Sequence, residues 1–207
     1  MSSSNFLTNP RTVLVADASV VINLNATGRA HAIIAAFSNR WAVTANAFAE
    51  LVNGIRNGHD DARALRILID KGAIDIVGLG DSGSRIYETL IDGSALRTLD
   101  DGEAATIGYA HEVGGIALID ERKAIKLCAD AYPELTLITT VQILLHPTVI
   151  EALGPSEHID VIMAALNKAR MRVPPDQIAK VVAVIGQTNA ASCLSLPRTV
   201  RDQVVKR

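Results

Sequence analysis

Five short aliphatic runs constrain this chain more than any other feature: TVLVA (12–16), WAVTA (41–45), IDIVGL (74–79), GIALI (115–119) and LTLIT (135–139). Several lack the polar alternation of a strand with one wet face, so they need cover on both sides. Each is followed by a helix-like stretch, and parallel strands joined by crossover helices supply that cover. The expectation is an α/β fold, a three-layer α/β/α sandwich over residues 10–150 with a mostly parallel five-stranded sheet. Aromatics make up only 3% of a chain that is 49% hydrophobic, which favours aliphatic strands on helices over an aromatic-rich β sandwich.

After the turn signal LGPS the pattern changes. SEHIDVIMAALNKAR (156–170) reads as an amphipathic helix with Ser156 as its cap and a stripe of Ile159, Ile162, Met163 and Leu166. PPDQIAKVVAVIG (174–186) reads as a second helix that opens on prolines and stops at Gly186. Residues 151–207 therefore form a helical C-terminal extension. The net charge of −2 hides an asymmetry, because residues 157–207 carry eight Lys/Arg against four Asp/Glu. A basic tail on an acidic body is a landing place for phosphates or an acidic partner as well as an ordinary solvated surface.

Cys128 and Cys193 form no Cys-x-x-Cys pair and read as reduced core thiols. No segment approaches the roughly 20 apolar residues that span a bilayer, and no basic stretch followed by an apolar run opens the chain. A cytoplasmic protein with no membrane partner is expected.

Two of the aliphatic runs end in an aspartate, Asp17 after VLVA and Asp120 after IALI. Ligands of open α/β sheets bind outside the carboxyl ends of the strands, where both would stand. Each is also a good helix cap. LDDGEAATIGYA (99–110) raises the same choice, since it loads three carboxylates onto the front of an otherwise apolar segment. Asp100 and Glu103 have the spacing of a capping box, and acids are favoured in a first helical turn. At 100° per residue, however, Glu103 shares a face with Ile107 and Ala110, while Ala105 and Tyr109 fall opposite. A core-directed carboxylate needs a partner, and the segment holds no Lys or Arg. Glu50 in TANAFAELVNGI, with Thr44 as a cap, sits across from Phe48, Val52 and Ile55, so spacing alone assigns it to solvent.

Four carboxylates at one sheet edge would repel one another without a hard cation, and Mg²⁺ or Mn²⁺ with oxygen ligands suits them. Such a site can activate water at a phosphodiester, which makes nucleic-acid hydrolysis the leading chemistry. Other signals are weaker. GLGDSG (78–83) matches a dinucleotide-binding loop but lacks a following buried strand with its acid, so no nucleotide cofactor is expected. GDSGS resembles a serine-protease loop in the wrong fold class. His111-Glu112 opens like a zinc-binding helix, but Gly115 stands where the second His belongs. The remaining histidines read as surface or capping residues.

The ordered set Asp17 in VLVADASVVINL, Glu50 in TANAFAELVNG, Asp100 to Glu103 in LDDGEAATIGYA and Asp120 in ALIDERKA resembles the PIN-domain nucleases, over residues 10–150. It is most similar to the subgroup with L-D-x-G-E at the third motif, many of whose members are VapC-like toxins of toxin-antitoxin pairs. The resemblance implies a Mg²⁺- or Mn²⁺-dependent endoribonuclease on a Rossmann-like sheet, often a homodimer and often silenced by an antitoxin laid across the acidic cleft. Carried over, Asp17, Glu50, Glu103 and Asp120 are the catalytic acids, with Asp17, Glu103, Asp120 and Asp100 as metal ligands. Ser19 would support Asp17 by a hydrogen bond, and Asp101 would support the third motif, in which Glu103 is favoured to face the metal. Glu121-Arg122 departs from the pattern of many relatives after the fourth acid. A phosphatase-like or receiver rival lacks its second Asp, where Ser19 stands, and its Lys after LTLITT. The other alternative is a catalytically inactive PIN fold serving as a binding module for RNA or protein.

Overall fold

The computed structural model describes Leu7 and residues 9–92 and 98–202; the segment 93–97 and the basic end 203–207 lie outside the described residues. All five aliphatic runs are strands: β1 (Leu14–Ala16), β2 (Trp41–Thr44), β3 (Asp75–Val77), β4 (Ile116–Leu118) and β5 (Thr136–Ile138). They form one sheet in the order β3-β2-β1-β4-β5, and every pair is parallel. The sheet of this α/β/α fold is thus parallel throughout. Every residue of β1, β2 and β4 is buried, as strands covered on both faces must be. At the β3 edge Ile76 is exposed, and Arg40 donates to Asp75 at 2.7 Å beside it.

The helices in chain order are α1 (Ala18–Ala26), α2 (Ala30–Ala35), α3 (Ala45–Gly54), α4 (Asp61–Asp70), α5 (Asp81–Ile91), α6 (Asp101–Glu112), α7 (Arg122–Ala131), α8 (Thr140–Leu144), α9 (Pro147–Leu153), α10 (Pro155–Lys168), α11 (Ile178–Ile185), α12 (Gln187–Ser192) and α13 (Arg198–Arg201). Contacts divide the chain into two compact units. The first comprises Met1–Val21 and Phe37–Thr139 and holds the sheet. Its core includes Val15, Leu90, Leu99, Ile107, Ala117, Ile119 and Cys128.

Helix α6 lies deepest in this unit, against β4, β1 and β2 on one side and α5 on another. Residues 102–108 are all buried. This corrects the expected stripe: Ala105 is fully buried and Tyr109 partly so, because the helix has almost no wet face. Glycines allow the crossing. A Cβ on Gly108 would sit 2.6 Å from the Gly83 carbonyl oxygen of α5, so only bare peptides fit. The GLGDSG glycines therefore serve helix packing and a loop, and Gly80 N–H donates to Glu112 at 2.8 Å.

The second unit comprises Ile22–Ala36 and Thr140–Arg207. Its central α10 buries His158, Val161, Ile162, Ala165 and Leu166. Ile159 and Met163, expected in the stripe, are only partly buried, since α8, α9 and α11 cover an arc shifted toward Val161. The helix begins at Pro155 behind Gly154, whose φ of 76° suits glycine, and Ser156 is not its cap. His158, expected to be a surface or capping residue, is buried with Nε2 2.7 Å from the Leu144 carbonyl. Helix α11 starts at Ile178, after a turn closed by Gln177 N–H donating to the Pro174 carbonyl. Both cysteines are buried and free, as read from the sequence.

Candidate functional site

The carboxyl edge of the sheet gathers the acids. Asp17 follows β1 directly, and its N–H donates to the Leu118 carbonyl of β4 at 3.1 Å. Its side chain is 3% exposed. Ser19 fixes it, donating to Oδ2 from its hydroxyl at 2.7 Å and from its backbone N–H at 3.2 Å. Oδ1 is buried with no hydrogen-bond partner among the described residues. Burial pushes the Asp17 carboxyl up to about 6, although the donors of Ser19 and Ala18 pull the other way. Asp120 stands two residues beyond β4, the strand paired with β1 in register Ala16↔Leu118, and is likewise buried.

The third motif separates into distinct jobs. Asp100 is the N-cap of α6, its Oδ1 accepting from Glu103 N–H at 2.9 Å. Asp101 is exposed, and its carboxylate accepts from Asn46 Nδ2 of α3 at 3.0 Å and from the Tyr87 hydroxyl of α5. It braces three helices. Glu103 is 7% exposed; burial first, then the charges of Asp100, Asp17 and Glu121, push it up to about 8. Of the three acids Glu103 alone is buried.

Glu50 departs from its expected place in solvent. Thr44 caps α3, accepting from Ala47 N–H at 3.2 Å, but Ala47 and Leu51 form the buried face, while Ile55 lies beyond the helix and is exposed. The rotation leaves Glu50 half-buried beside α6, where its Oε1 accepts from Gly102 N–H at 2.7 Å. Burial first, then Asp100, Asp17 and Asp101, push its carboxyl up to about 7, against the pull of that N–H. Asp17, Glu50, Asp100 and Glu103 thus share one negative field, and Asp120 stands just past the end of the adjoining strand. Sequence reasoning missed Asn46, Tyr87 and the seat at Gly102. It noted Glu121 only as a departure, yet that residue both caps α7 and adds charge near Glu103.

No group of three or more His, Cys, Asp or Glu side chains among the described residues is set to hold a metal ion directly. The donor set nevertheless fits a hard cation that keeps much of its water, because Mg²⁺ is commonly bound through one or two carboxylates. The unpartnered, buried Asp17 Oδ1 is the atom that calls for such a partner. Neither thiol is set up as a nucleophile, since both are buried and burial raises both, Cys128 to about 12. A cavity of about 270 Å³ lined by Thr12, His111, Glu134 and Thr136 lies at the other end of the strands and contains none of the clustered acids. No helix among the described residues is long and apolar enough to cross a membrane.

A family model described as PIN domain matches residues 13–187. No curated protein and no solved structure matches the chain.

Proposed function

The chain belongs to the PIN-domain family, and from that premise we propose that it is a metal-dependent endoribonuclease hydrolysing phosphodiester bonds of single-stranded RNA, and the toxin half of a toxin-antitoxin pair. The observation that carries the nuclease reading is Asp17, whose buried Oδ1 has no hydrogen-bond partner among the described residues, beside Glu50 and Glu103, both raised first by burial and then by neighbouring acids. A dication would stabilise such an enclosure with its carboxylates ionised. The toxin reading rests on the L-D-x-G-E motif, here Leu99 to Glu103.

In this reading Asp17, Glu103, Asp120 and Asp100 would surround Mg²⁺ or Mn²⁺, one or two of them as direct ligands and the others through its retained water. Bound there, the ion supplies positive charge to the attacking and leaving oxygens of the phosphodiester. Glu50, whose carboxyl is pushed up to about 7, is suited to accept a proton from the attacking water near neutral pH. Ser19 holds the Asp17 carboxylate in one orientation, and Asp101 keeps the entrance of α6 fixed to α3 and α5. Residues 10–150 carry the chemistry in this scheme, and the basic extension 151–207 grips the strand or receives the antitoxin. A second copy of the chain is the expected partner in solution.

Labelled single-stranded RNA titrated with Mn²⁺ tests the proposal. Cleavage by the wild type and none by Asp17→Asn supports it, as does growth arrest on induction that Asp120→Ala relieves. No cleavage with any divalent ion overturns it in favour of a binding module on the same fold.

A further inference from the structure

Gly102 is the second residue of α6, and its backbone gives no reason for a glycine. It lies in regular helix and is absent from the residues with positive φ. Alanine would be the better helix former at such a position. The reason for glycine comes from another element. A Cβ at Gly102 would lie 2.6 Å from Glu50 Oε2 and 2.8 Å from both Cδ and Oε1. The same glycine's N–H donates to Oε1 at 2.7 Å.

These distances describe one arrangement, a carboxylate seated on bare peptide at a helix N-terminus, where free N–H groups and the helix dipole favour negative charge. The contrast with Gly108 sharpens the point. A Cβ there would strike the Gly83 backbone carbonyl and strain the fold. At Gly102 it would meet only the mobile end of a glutamate, which can swing away while α6 stays in place. Asp17, Asp100 and Asp101 all repel Glu50, so a carboxylate denied its seat has every electrostatic reason to leave.

We propose that Gly102 is a positioning residue: its missing side chain and its N–H together lock the Glu50 carboxylate into the acidic cluster. The catalytic consequence rests on the nuclease reading above; the seating itself does not.

The test has two arms. In ¹H–¹⁵N spectra of the metal-free full chain, the Gly102 amide proton is expected downfield, moving upfield in Glu50→Gln. In cleavage assays Gly102→Ala is expected to lower kcat at least tenfold with KM for RNA unchanged within twofold, and with Tm equal to or above that of the wild type. Added to Glu50→Gln, the same substitution should cost less than a further twofold, because there is no longer a seated base to displace. Glu50→Asp, one methylene shorter, should tolerate Gly102→Ala better than the native glutamate does.

Equal loss of kcat from Gly102→Ala in both backgrounds overturns the proposal, as does a Gly102 amide indifferent to Glu50. A Glu50-dependent amide in a protein that cleaves no RNA supports the seating and overturns the nuclease reading instead.

Discussion

Glu103→Gln should stabilise the metal-free protein while abolishing its activity, and the size of the gain should depend on pH. Folding moves the Glu103 carboxyl from 4.5 to about 8. A carboxyl raised by folding favours the native state below its unfolded value and costs stability as pH climbs through the window from 4.5 to about 8. The linkage relation puts that cost at about 1 kcal/mol at pH 5 and about 4 kcal/mol at pH 8. Water at the cleft mouth and rearrangement of neighbouring acids reduce it, and halving gives about 2 kcal/mol at pH 8. The neutral amide keeps the shape and removes the charge. For a chain of this size the gain corresponds to a Tm about 4–8 °C above wild type at pH 8 and about 1–2 °C at pH 5. Thermal denaturation in chelator, run at both pH values, measures the difference. Adding Mn²⁺ at pH 8 should close the gap by stabilising the wild type more than the variant. A Tm difference that is flat with pH, or a variant less stable than wild type at pH 8, would refute the claim that Glu103 is a destabilised carboxylate.

Three further outcomes follow from the packing. Ser19→Ala removes the hydroxyl that donates to Asp17 Oδ2 at 2.7 Å and helps it ionise; the acid limb of the pH–activity profile should move to higher pH, with activity near pH 6 falling about tenfold more than near pH 8. Gly108→Ala pushes a methyl to 2.6 Å from the Gly83 carbonyl oxygen, a contact with backbone on both sides; urea unfolding should show a loss of about 2 kcal/mol. Arg170 has a φ of 53° at the end of α10, where Met171 N–H closes back on the Ala165 carbonyl at 3.0 Å; Arg170→Gly should gain about 1 kcal/mol in the same assay, since this is the left-handed position at which glycine ordinarily ends a helix.

The strands were legible because burial on both faces leaves a mark that needs no tertiary knowledge: VLVA and IALI cannot sit at a wet surface. The same runs placed Asp17 and Asp120, since the residue that ends a buried parallel strand has only the carboxyl edge to occupy. Glu50 was illegible for a physical reason. Its face on α3 is set by Ala47 and Leu51, which are buried, while Phe48 and Val52 are only partly covered and Arg66 of α4 lies over the Phe48 ring. A stripe drawn through Phe48, Val52 and Ile55 therefore points away from the buried face. Helix α10 misled in a milder way, because neighbours on several sides widened its buried arc to include His158 and Ala165.

LDDGE posed a choice between helix capping and a metal cleft, and the structure shows why the choice was badly framed. A cap concentrates N–H groups and positive dipole at one point, which is what a cluster of carboxylates needs if it is to exist before any cation arrives. Asp100 takes one amide, and Glu50 takes another from across the groove. These contacts hold the cluster together without neutralising it, for Glu50 and Glu103 remain well above the usual carboxylate range. Full neutralisation by a nearby Arg or Lys would have given a more stable fold and a site with nothing left to attract a dication. Capping interactions are strong enough to assemble the acids and too weak to satisfy them, and in the proposed nuclease reading the unmet remainder is what a bound metal would relieve.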